Sequence, residues 1–142
     1  MAHEEKRAWI RLVVAVLGYG VYLAVVLSGS GGRPVHEVAY ASALLISVGA
    51  AIAAAVAAET AWAALAPGAS RASDERDREI GRLGDHVGQA FVVIGAVAAM
   101  LMAMAEIDHF WIANVIYLGF VLSAILGGIA KVVVYRTGVP QW

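Results

Sequence analysis

Charged residues fall into a few clusters along this chain, and long uncharged runs separate them. Positions 12–32 hold 21 residues without Asp, Glu, Lys or Arg, between Arg11 and Arg33. Positions 38–58 give another 21, between Glu37 and Glu59. Positions 86–105 give 20 and positions 109–130 give 22, closed by Glu106 and Lys131. A bilayer core about 30 Å thick is crossed by roughly 20 apolar residues of helix. The pattern therefore predicts four membrane helices, at about 9–28, 38–62, 86–106 and 109–132. A lipid-facing open sheet would leave its backbone groups unsatisfied. The ten-residue alternation of a membrane β-barrel is not visible in the chain. The expected fold is all-α: one four-helix domain built as two tandem helical hairpins over residues 1–142.

Within these runs, small residues recur at the i, i+4 spacing that places them on one helix face. The first run has Gly20, Ala24 and Ser28, and the second has Ala43, Ser47, Ala51 and Ala55. The third has Gly84, Gly88, Gly95, Ala99 and Ala103, and the fourth has Gly119, Ser123 and Gly127. Lipid tails are as apolar as leucine, so close packing through small residues is what brings such helices together. These rows predict seams within one chain or between copies of it, and a homo-oligomer is expected. Asn114 is expected to make an interhelical hydrogen bond. Tyr19, Tyr22, Tyr117 and Phe120 read as packing residues.

Composition sharpens the membrane reading. Of the 142 residues, 61% are hydrophobic and 15% charged, with a mean hydropathy of +0.77. A soluble domain carries about 25% charge, and a globule of this size could not hide so much apolar surface. The same numbers exclude disorder. A net charge of -1 argues against nucleic-acid binding. The absence of cysteine removes disulfides, thiolate metal sites and iron–sulfur clusters.

Basic residues set the expected orientation. Nine of the ten lie near the N-terminus, in the connection around 71–82, or at the C-terminal end, and Arg33 is the exception. Both termini and the middle connection are thus expected in the cytoplasm. The short connections near 29–35 and 106–108 are expected outside. The first run is longer than the 7–15 apolar residues of a signal peptide, so it reads as a retained span.

Four groups of polar residues are candidates for function. Glu59 and Lys131 should sit at similar depth near the inner interface, where an intramembrane ion normally finds a partner. Glu59 is expected to pair with Lys131 or Arg11, or each charge to snorkel alone. The run Asp74, Glu75, Arg76, Asp77, Arg78 and Glu79 opens the third helix, which projects into the cytoplasm over about 74–85. Its i, i+3 and i, i+4 charges can pair with one another, while Ile80, Leu83 and Val87 form an apolar stripe. The run is either a solvated helix end or a docking surface for a cytoplasmic protein or a second copy. The outer connections gather His36, Glu37, Glu106, Asp108 and His109. Imidazole with carboxylate suits a divalent metal or a proton switch, and His36 with His109 could in principle ligate haem. Plain helix capping at the lipid boundary is the other reading. His86 reads as an interfacial residue.

The D-E-R-D-R-E-I run at 74–80, H-F-W-I-A-N at 109–114 and the closing Lys131, Tyr135, Arg136, Thr137 and Gly138 resemble an uncharacterised family of small bacterial membrane proteins, a domain of unknown function. The resemblance covers roughly 74–138. It implies a bacterial inner-membrane protein often found beside a small helix-turn-helix regulator, and so a sensing role sooner than metabolic catalysis. Enzyme signatures such as H-E-x-x-H or a phosphate-binding glycine loop do not occur. The expected function is a non-enzymatic, oligomeric sensing or interaction protein embedded in the lipid bilayer. A channel or transporter subunit is the alternative, and a metal- or haem-binding subunit a lesser one.

Overall fold

The structure is a computed structural model that describes residues 3–34, 39–65 and 75–138. It contains four α-helices: α1 (His3–Gly29), α2 (Ala41–Leu65), α3 (Glu75–Met104) and α4 (His109–Thr137). Each is long and apolar enough to cross a membrane, with hydropathies of 2.1 to 2.3 in its most apolar window. The protein is all-α with four candidate spans. The helices overrun the uncharged segments at the ends. α1 begins among Glu4, Glu5, Lys6 and Arg7, and α4 continues past Lys131 to Thr137. At 1.5 Å per residue the 27 to 30 residues of α1, α3 and α4 extend about 40–45 Å, well beyond the hydrocarbon core. Helices of this length laid across a bilayer would leave their charged end turns outside the hydrocarbon.

The helices do not pack equally. α3 lies along α4, α4 against α1, and α1 against α2. The α3–α4 seam is built on glycine. A methyl group on Gly95 would stand 3.1 Å from the Cα of Gly119, and one on Gly127 would stand 2.8 Å from the carbonyl oxygen of Gly84. One on Gly88 would meet the Ser123 carbonyl at 2.9 Å. The small-residue faces of α3 and α4 thus meet backbone to backbone, which maximises van der Waals contact where lipid gives no hydrophobic drive. The row on α1 behaves differently. Gly20, Ala24 and Ser28 are exposed, and nothing lies within 4 Å of a methyl group at Gly20. α1 joins α4 through Ala8, Tyr22 and Val26, and through Leu12 against Gly128. α2 buries no residue at all, although Ala43, Ser47 and Ala51 are partly covered.

The core sits in the half of the bundle near the α3–α4 turn. Tyr22, Val26, Phe110, Tyr117 and Val121 are buried together, with Tyr19, Tyr40, Leu44 and Val48 packed around them. The Tyr22 and Tyr117 rings meet edge to face at 4.9 Å and 81°, as do Tyr40 and Phe110 at 4.9 Å and 87°. This geometry suits the ring quadrupoles. Phe120, in contrast, is exposed. Polar tips inside this core are satisfied across helices. Tyr22 donates to Asn114 Oδ1 at 2.5 Å, and the Ser47 and Tyr117 hydroxyls share a hydrogen bond of 2.5 Å. The latter bond ties α2 to α4.

The α3–α4 turn closes α3 in a Schellman-type arrangement. The Ile107 N–H donates to the Met102 carbonyl at 3.0 Å and the Glu106 N–H to Ala103 at 3.1 Å. Glu106 takes the left-handed position, φ 55°, where glycine is the usual occupant. Asp108 then caps α4, its Oδ1 accepting from the Phe110 N–H at 3.0 Å.

Candidate functional site: the charged end

The α3–α4 turn gathers fewer ligand-type residues than its sequence suggests. Asp108 is occupied as a helix cap, and Glu106 forms the turn. His109 is 86% exposed, with Nδ1 3.8 Å from Asp108 Oδ1 and its ring 6.2 Å from Tyr40. Among the described residues no group of three or more His, Asp or Glu is placed to hold a metal ion. His36 and Glu37, the other members of the sequence-expected cluster, lie outside the described residues.

The opposite end concentrates charge. The start of α1, the end of α2, the start of α3 and the end of α4 come together there. The Glu59 carboxylate on α2 accepts from both Arg7 and Arg11 on α1. Arg7 also bonds Glu4 at 2.7 Å. Lys131 on α4 pairs with Asp85 on α3 at 2.9 Å, while its stem lies across Gly84. Arg136 on α4 reaches Glu5 on α1 at 3.2 Å and sits 5.9 Å from the Trp9 ring. So the structure brings Glu59 to Arg11 and takes Lys131 elsewhere. Apart from Arg7–Glu4, which lies within α1, each pair ties two helices together, and the partly exposed ones contribute roughly 0.2–1 kcal/mol each. Their greater consequence is geometric, because they fix where the cations stand.

Two recesses flank Arg7 and Arg11. One is a cavity of about 480 Å³ between α1, α3 and α4. Its floor is glycine (Gly84, Gly88, Gly127 and Gly128), and its rim carries Asp85, Gln89, Lys131 and Tyr135. The other is an apolar furrow between α1 and α2, entered beside Arg7, Arg11, Glu59 and Trp62. The cavity can offer hydrogen-bond donors and both signs of charge to a polar ligand, and the furrow can offer a cation above an apolar slot.

The start of α3 divides into two faces. Ile80 is almost wholly buried, and Gly84 and Gly88 follow it onto α4. Asp77 Oδ1 accepts from the Tyr135 hydroxyl at 2.9 Å, and Arg76 reaches the Tyr135 carbonyl at 3.5 Å. This face is docked. On the other face Glu75, Arg78, Glu79 and Arg82 are exposed. Among the described residues no ion pair joins Glu75 to Arg78 or Glu79 to Arg82, so these charges are not spent on each other. Asp74 lies outside the described residues. His86 is exposed further along the same helix.

Sequence reasoning singled out Arg11 but missed Arg7, Glu5, Asp85 and the hydroxyl of Tyr135. Arg7 stands four residues before Arg11, hence on the same helix face, and that spacing could have found it. The partners on other helices carried no such signal.

A scan against models of known families finds no match, and searches of curated proteins and of solved structures find none either. No family is identified for the 74–138 motif. What stands is a four-helix protein whose helices can each span a membrane.

Proposed function

We propose that this protein is a multi-pass membrane protein that works by interaction, presenting the outward face of α3 to a protein partner in the cytoplasm. The observation that carries this reading is the division of the α3 start into a locked face and a free one. Ile80 and Asp77 hold the helix to α4, while Glu75, Arg78, Glu79 and Arg82 stand exposed and unpaired among themselves. A helix end that is rigid and charged in alternating sign offers electrostatic complementarity, which gives specificity and association rate. The α3–α4 glycine seam couples this face to the membrane core, so a change in the bundle would reach the partner as a rigid movement of α3. The placement of both termini in the cytoplasm of a bacterial cell, and the absence of enzymatic chemistry, belong to this proposal.

A photo-crosslinking residue at Arg78 in the intact membrane tests it. One discrete adduct is expected, lost when Glu75, Glu79 and Arg82 are reversed in charge while the protein keeps its thermal stability. No discrete adduct, or the same adduct after charge reversal, overturns the reading.

The glycine-floored cavity favours a second reading, a transport subunit that takes up a polar solute at the charged end. Its lining reaches Gln89 and Ser123, and the tyrosine-rich core lies beyond. Solute or ion flux into liposomes carrying the purified protein, lost in Lys131→Met, would support transport, and no flux between pH 5 and 8 would count against it.

A further inference from the structure

We infer that the furrow between α1 and α2 is a binding site for one membrane phospholipid with an anionic headgroup. The furrow has two stretches, which share Val14, Ala51 and Ala54 and so form one continuous trough. The stretch at the charged end encloses about 270 Å³ and the stretch beyond it about 560 Å³. From the level of Glu59 to that of Ala43 the trough follows 16 residues of α2, about 24 Å. One leaflet of hydrocarbon is about 15 Å deep. An acyl chain entering at the charged end therefore fits within the trough, against the small side chains of α2 and the larger ones of α1.

The mouth supplies what a phosphate headgroup recognises. The charged residues lining it are Arg7, Arg11 and Glu59, a net charge of +1. Arg11 is 53% exposed and gives one of its five N–H donors to Glu59. Trp62 stands at the same level, where indole favours the headgroup boundary. An under-used Arg11 guanidinium above an apolar trough matches an amphiphile with its anion at the interface. A second copy of α2 would fill the trough with small apolar side chains and offer no free anion to the remaining Arg11 donors, since its one acid, Glu59, already pairs with its own Arg7 and Arg11. The inference rests on the membrane reading and is independent of the α3 docking face.

The test uses the full chain in nanodiscs of phosphatidylcholine with one-fifth phosphatidylglycerol, released into detergent for native mass spectrometry. The expected wild-type result is one retained phosphatidylglycerol per chain, in preference to phosphatidylcholine. Arg11→Gln should lower that retention about fivefold, the worth of one basic residue against anionic lipid. Ala54→Phe, which fills the trough, should remove it, and circular dichroism with a thermal melt shows that both variants remain folded. Equal retention of the two lipids overturns the inference. So does retention unchanged in both variants, or an Ala54→Phe variant whose sole effect is to dissociate a dimer, which would assign the trough to a second copy.

Discussion

The Tyr22 hydroxyl on α1 donates a 2.5 Å hydrogen bond to Asn114 Oδ1 on α4, and the Asn114 amide in turn donates to the Phe110 carbonyl one turn earlier. The bond joins the two hairpins in the most buried part of the core, where Tyr22 is 2% exposed. Side-chain hydrogen bonds between membrane helices average about 0.6 kcal/mol and reach about 1.7. A double-mutant cycle of Tyr22→Phe and Asn114→Leu, read by thermal unfolding in detergent, should give a coupling in that range. Additive effects would show that the bond carries no stability.

The glycine seam makes a sharp contrast between positions. Gly127→Ala places a methyl group 2.8 Å from the Gly84 carbonyl oxygen and forces α3 away from α4, at a cost of about 1–3 kcal/mol. Gly49→Ala meets nothing within 4 Å and should be neutral or stabilising. Melting temperatures of the two variants check the prediction, and similar losses would contradict the seam.

How far the sequence foretold this arrangement differs from element to element. The four spans were legible because a charge inside lipid is so costly that its absence marks each helix. The α3–α4 seam was legible too, since glycine at Gly119 and Gly127 has few other uses in a membrane helix. The α1 row makes no seam within the chain. Gly20, Ala24 and Ser28 are exposed, because α1 faces α4 with Ala8, Tyr22 and Val26. A small-residue row says that close approach is possible, and only packing decides which rows are used. The charged end shows the same limit. The partnership of Lys131 with Asp85 joins residues 46 apart in sequence and depends on how α3 lies on α4, which no periodicity records.

Glu106 holds a backbone position that favours glycine, at φ 55°. A left-handed conformation costs an ordinary residue roughly 1–2 kcal/mol. Glu106→Gly should therefore raise stability by about 1 kcal/mol, less the greater chain entropy of glycine. A melting temperature below wild type would show that the entropy of glycine outweighs the relieved strain.

Asp108 caps α4 through the Phe110 N–H. Asp108→Ala should cost about 1 kcal/mol, and Asp108→Asn or Asp108→Ser should restore most of it. Rescue by serine would separate capping from metal ligation, because serine caps well and binds divalent metal weakly.

Four membrane crossings would place the start of α1, the end of α2, the start of α3 and the end of α4 on one side of the bilayer. The chain contains no cysteine, so single cysteines can be introduced at Ser30, Arg78, Ile107 and Thr137 and labelled in sealed vesicles with a membrane-impermeant maleimide. The predicted result is that Arg78→Cys and Thr137→Cys react from one side and Ser30→Cys and Ile107→Cys from the other. Labelling of Ser30→Cys and Thr137→Cys from the same side, or recovery of the protein outside the membrane fraction, would contradict it.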